Sequence, residues 1–102
     1  SCSGRKITVI GDMLELGNKE EEYHLELGRY LVDKKVDAVF AYGNLSQYAI
    51  RAMNGANCFH QFYSDKNLLI TDLKEYLQEG DVIYIKGSRG MKMEDIITGL
   101  QS

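Results

Sequence analysis

The segment Lys86-Gly87-Ser88-Arg89-Gly90-Met91-Lys92 puts cations, a hydroxyl and two glycines directly after an apolar run and before a helical pattern. Backbone N–H groups bared by glycine, a helix dipole and a guanidinium then converge on one place, which is what binding a carboxylate or phosphate requires. The alternative is that Lys86 and Arg89 pair with Asp12, Glu15 or Asp81 at a solvated sheet edge, where ion pairs contribute little. Gly-Ser-Arg-Gly also matches the G-x-x-G loop that clamps nucleotide backbones, but that loop joins two helices and this one follows a strand.

A second segment, Gly11-Asp12-Met13-Leu14-Glu15-Leu16-Gly17, is a long strand-to-helix link with two carboxylates and two leucines that something must bury. It fits neither G-x-G-x-x-G nor G-x-x-x-x-G-K-[ST], so the general phosphate-binding patterns fail. Asp12 either caps backbone N–H groups of the turn or takes a ligand or Mg²⁺ role. A phosphoacceptor site using Asp12 and Lys86 needs a further acidic pair before Asp12, and Arg5-Lys6-Ile7 supplies none. His24 falls on the same helical face as Gly28, either as a satisfied buried histidine or as a functional one. Gly28 costs about 1 kcal/mol relative to alanine in mid-helix, so it should admit a strand or loop at close range. Asn44, after Tyr42-Gly43, is explained as a helix N-cap, with a binding role possible.

The elements that position these residues alternate. Ile7–Ile10, Ala38–Tyr42, Cys58–Tyr63 and Val82–Ile85 are short apolar runs bounded by Gly, Asp or Asn, the pattern of buried strands. Between them the period turns helical: His24, Leu27, Gly28 and Leu31; Leu45, Tyr48, Ala49, Ala52 and Met53; Leu69, Leu73, Tyr76 and Leu77; Met93, Ile96, Ile97 and Leu100. Asn18 with Glu21 and Asn44 with Gln47 read as capping boxes, and Gly55 and Gly80 as C-terminal glycines. Glu20, Glu21 and Glu22 open the first helix and Lys34 and Lys35 close it, as its dipole favours. Strands apolar on both faces alternating with helices predict an α/β fold, a doubly wound, mostly parallel sheet with helices on both sides.

The 102 residues suffice for a single domain, which buries about two-thirds of its surface without staples. Two cysteines, Cys2 and Cys58, are too few for a disulfide framework and match no metal-ligand spacing, which points to the cytoplasm. A net charge of -3 without a basic run argues against nucleic acid. No apolar stretch reaches the roughly 20 residues that span a bilayer, so no membrane partner is expected. The absence of proline excludes a Pro-rich linker.

Taken together, Val9-Ile10-Gly11-Asp12-Met13-Leu14-Glu15-Leu16-Gly17, then His24 and Gly28, then Val82–Met91 with Met93-Glu94, resemble the C-terminal, Rossmann-like domain of the Mur ligase family. The likeness runs from about Lys6 to Leu100. It implies a peptidoglycan-precursor enzyme of the bacterial cytoplasm that uses ATP and Mg²⁺ to turn a peptide carboxylate into an acyl phosphate, which an amine attacks. The amine implied here is D-alanyl-D-alanine and the acceptor UDP-MurNAc-tripeptide. By the same likeness Lys86, Gly87, Ser88 and Arg89, with Asn44 by position, hold the amine substrate, while Asp12 and His24 face the nucleotide or the neighbouring domain on closure. No phosphate loop, no Mg²⁺-carrying groups and no opening Asn-Ala-Asn-Pro motif occur. The chain is therefore expected to be a fragment that starts one strand and one helix late, carries no catalytic or metal-binding residue, holds no cofactor tightly and is inactive alone. The competing expectation is a stand-alone module that binds a small anion or a protein partner without catalysis.

Overall fold

The β-branched run Ile7-Thr8-Val9-Ile10 forms the centre of β1 (Lys6–Gly11) in the computed structural model, which describes residues 4–101; Cys2 lies outside the described residues. Three strands follow, β2 (Ala38–Tyr42), β3 (Phe59–Tyr63) and β4 (Val82–Lys86). They alternate with α1 (Glu20–Asp33), α2 (Ser46–Ala52), α3 (Lys66–Tyr76) and α4 (Glu94–Leu100). Single 3₁₀ turns occur at Gly17–Lys19 and Arg89–Met91. The strand order is β3-β2-β1-β4 and every pair is parallel, with Ile7 beside Ala38 on one side and Ile83 on the other.

The placement of the helices follows from this order and the handedness of the crossovers. From β1 to β3 the chain steps outward in one direction, so right-handed crossovers set α1 and α2 on one face; the return from β3 to β4 sets α3 on the other, where α4 joins it. Two cores result, as the alternation of side chains in a strand demands. Ile7, Val9 and Phe40 meet Leu69, Leu73, Met93 and Ile96, whereas Ile10, Val39 and Ala41 meet Leu31, Ala49 and Met53. Burying one such leucine or isoleucine contributes about 1.5–3 kcal/mol.

Gly28 is in contact with a helix, where a strand or loop was expected. A Cβ there would stand 2.3 Å from the Ala49 carbonyl oxygen, so glycine is what lets α1 and α2 close on each other. The last strand also departs from expectation. Among the described residues β4 lies at the edge of the sheet with one face open, Val82 being 43% and Tyr84 57% exposed.

Neither capping box forms as read. α1 grows out of the 3₁₀ turn at Gly17–Lys19, which leaves Asn18 one residue before an N-cap, Lys19, that makes no side-chain bond. Gln47 bonds the Asn44 carbonyl instead of its N–H. Gly55 and Gly80, both at positive φ, sit in tight turns a few residues beyond α2 and α3.

Candidate functional site

Because β2, β1 and β4 are parallel neighbours, the loops leaving their carboxyl ends share one edge of the sheet, the edge at which ligands of open α/β sheets bind. These loops meet on Asp12. Its side chain is buried, with Oδ1 accepting the Ser46 N–H at 2.7 Å, while its carbonyl accepts the Ser88 N–H at 3.0 Å. Asp12 is thus a backbone cap, but the helix it caps is α2 and not its own turn. Room for this carboxylate comes from Gly43, whose φ of +113° favours glycine and where a Cβ would lie 2.5 Å from Asp12 Oδ1.

The next residue along is held by His24, which is fully buried. Its Nε2 accepts the Met13 N–H at 3.1 Å and its Nδ1 lies 2.6 Å from the Glu20 carbonyl oxygen. A backbone N–H only donates and a carbonyl only accepts, so the ring carries its proton on Nδ1 and a lone pair on Nε2. Leu14 completes the series by donating its N–H to Ser88 Oγ at 2.7 Å. Successive amides of the first loop, residues 12–16 after β1, are therefore fixed by α1 and by the fourth loop, residues 87–93 after β4.

Gly87 faces inward. A Cβ on it would approach Met93 Cγ to 2.8 Å and Gly11 Cα to 3.2 Å, so packing alone demands glycine at the point where β1 and β4 end. Lys86 lines the groove between the open face of β4 and α1, together with Tyr23 and Tyr84. Arg89 is exposed, at the start of the 3₁₀ turn, and Asn44 is exposed at the end of β2. Among the described residues neither Lys86 nor Arg89 forms an ion pair. Asp81 bonds Arg5 instead, at the opposite end of the sheet, and that hydrogen bond holds its carboxyl down at about 2. A cation presented with no acidic partner is available to an outside anion.

The family model described as "Mur ligase, glutamate ligase domain" matches residues 1–89. The chain belongs to the Mur ligase family. It is 41% identical to the UDP-N-acetylmuramoyl-tripeptide--D-alanyl-D-alanine ligase of Bacillus subtilis over 95% of its own length and 22% of that relative's. The Escherichia coli protein of the same name is 37% identical over 96% of the chain and 21% of the relative. Among solved structures, MurF of Acinetobacter baumannii superposes with a TM-score of 0.84 at 25% identity, covering 97% of this chain and 22% of that one. The MurF ligase of Thermotoga maritima in complex with ADP gives 0.78 at 26% identity, covering 96% and 22%. The chain thus spans about a fifth of the length of the relatives it matches.

Within this Mur ligase chain the Asp12 carboxylate is buried and spends Oδ1 on the Ser46 N–H of α2. Among the described residues no three of His, Cys, Asp and Glu gather as metal ligands. No described helix is long and apolar enough to cross a membrane. One residue that sequence reading missed belongs to this edge. Lys66, the first residue of α3, reaches the Met91 and Lys92 carbonyls beyond the Arg89 turn. Nothing local marks it, since its partners lie 25 and 26 residues away.

Proposed function

We propose that this chain is the C-terminal substrate-binding domain of an ATP-dependent ligase of the bacterial cytoplasm that joins D-alanyl-D-alanine to UDP-N-acetylmuramoyl-tripeptide. The family membership and the shared name of the relatives support the activity. The observation that carries the site is Arg89: exposed, without an acidic partner, and presented at the carboxyl edge of the sheet by a turn tied to its surroundings.

An amine substrate bearing a free C-terminal carboxylate must be held by that end while its amine is aimed at the acyl carbon. The Arg89 guanidinium presents a planar fork that takes a carboxylate through two parallel N–H donors. Ser88 Oγ spends a lone pair on the Leu14 N–H and keeps its own O–H to give to the carboxylate. The Asn44 amide and the Lys86 ammonium add a donor and a positive field from the flanking strands, and Gly87 keeps the backbone beneath them low. Asp12 and His24 act by holding the first loop, which faces the nucleotide-bearing part of the ligase on closure. ATP and Mg²⁺ belong to that other part.

Two measurements test this reading. Arg89→Ala in the full-length ligase should raise the KM for D-alanyl-D-alanine and leave that for ATP alone; an unchanged dipeptide KM would refute the site. The 102-residue chain by itself should show no ATP hydrolysis and no amide formation, and measurable ligation by it would refute the division of labour.

A further inference from the structure

Arg89 has no side-chain partner among the described residues, so its direction is set by its backbone alone. That backbone is a single 3₁₀ turn, closed inside by the Met91 N–H to the Ser88 carbonyl at 2.9 Å and the Lys92 N–H to the Arg89 carbonyl at 3.0 Å. Ahead of the turn, Ser88 is fixed by its N–H to the Asp12 carbonyl and by its Oγ accepting from Leu14. Behind it stands Lys66. Its Nζ donates to the Met91 carbonyl at 2.8 Å, the Lys92 carbonyl at 3.1 Å and Asp95 Oδ2 at 3.2 Å, and lies 5.5 Å from the centre of the Tyr42 ring.

An ammonium has three N–H donors, and here each has an acceptor. Lys66 has nothing left to offer a substrate, and its side chain is only 17% exposed. What it does hold is costly to hold. Lys92 lies at φ 50° and ψ 50°, the left-handed region, which a non-glycine residue adopts at a cost and keeps only where neighbours fix it. Without Lys66 the Met91 carbonyl would lose this donor and the Lys92 carbonyl would keep only the Asp95 N–H at 3.0 Å, so that Lys92 could relax and the turn reopen from its far end while the Ser88 end stayed anchored.

We infer that Lys66 is a positioning residue: by clamping the Met91 and Lys92 carbonyls it fixes the turn that aims Arg89 at the carboxylate of the amine substrate. The inference rests on the reading of Arg89 given above. It makes the carboxyl end of β3, through the first residue of α3, part of the amine-binding apparatus on β4.

The test is steady-state kinetics of the full-length ligase with D-alanyl-D-alanine varied at saturating co-substrates. Lys66→Met keeps the stem and removes the donors. It should raise the dipeptide KM about tenfold, misplacement of a binding group being enough to cost that much, with kcat and the KM for ATP within about twofold. Lys66→Arg, which can still donate to both carbonyls, should recover most of the loss. The double variant with Arg89→Ala should be no worse than Arg89→Ala alone, because the two side chains act through one contact. If Arg89→Ala raises the dipeptide KM and Lys66→Met does not, the positioning role is wrong and the site stands. Fully additive losses, or a Lys66→Met enzyme whose melting temperature and all KM values worsen together, overturn it equally. If Arg89→Ala itself leaves the dipeptide KM unchanged, the site reading fails first.

Discussion

Removing the Asp12 carboxylate tests whether the central residue of the first loop is a cap. Its Oδ1 takes the Ser46 N–H at 2.7 Å between two buried residues, so no water is at hand to replace it. A hydrogen bond to a charged group contributes about 1.5–3 kcal/mol, and leaving a buried N–H unpaired costs about 1–3 kcal/mol. Against this, alanine escapes the cost of burying a carboxylate. The orphaned amide outweighs that gain, because the carboxylate is needed only as an acceptor and alanine offers none. Asp12→Ala should therefore lose about 2 kcal/mol, which for a domain of this size lowers the melting temperature by about 8–16 °C. Asparagine keeps the acceptor and sheds the charge, so Asp12→Asn should fall nearer the native chain. Urea denaturation of the 102-residue chain, followed by far-ultraviolet circular dichroism, reads both values. An Asp12→Ala midpoint matching the native one at unchanged slope would refute the cap, and so would Asn proving the worse of the two.

Gly28→Ala gains about 1 kcal/mol of helix propensity but drives a Cβ to 2.3 Å from the Ala49 carbonyl oxygen, an overpacking that costs about 1–3 kcal/mol. Since the clash is with backbone, the net should be destabilising, again by urea midpoint, and a more stable variant would show that α1 and α2 are not held this closely. Asp81 gives a pH dependence. Its carboxyl, normally at 3.8, is held at about 2 by Arg5 and the Gln78 N–H, so its contribution is complete above about pH 4 and is lost as pH falls toward 2. Arg5→Met should flatten stability across that window, and an unchanged slope there would separate the pair from acid unfolding.

How much of this was legible depends on how local each cause is. The alternation of apolar runs and helical stripes was enough for the parallel, doubly wound sheet, because handedness leaves few other ways to connect such elements. Edge status was not legible: Val82-Ile83-Tyr84-Ile85 reads as apolar on both faces, and only the strand order reveals that Tyr84 looks outward. The capping boxes failed for a related reason. Asn18 and Asn44 have the right neighbours, but the donors they might have served are met otherwise, at α2 by a carboxylate 34 residues upstream of Ser46. Lys66 was invisible because a lysine opening a helix looks the same whether it faces solvent or binds three acceptors.

The two loop motifs are more specific together than apart, and the hydrogen bonds explain why. Each supplies what the other lacks. The first loop has surplus donors at Met13 and Leu14, and the fourth loop and α1 provide Ser88 Oγ and His24 Nε2 to receive them. The fourth loop has the Ser88 N–H to place, and the Asp12 carbonyl receives it. Gly11 and Gly87 must both be small because their backbones and Met93 share one space. Changing either loop alone would leave amides unpaired in the other, so the two loops depend on each other as a unit. The side chains of Asp12, His24 and Ser88 are thus engaged in building the edge, whereas the Arg89 side chain takes no part in that network.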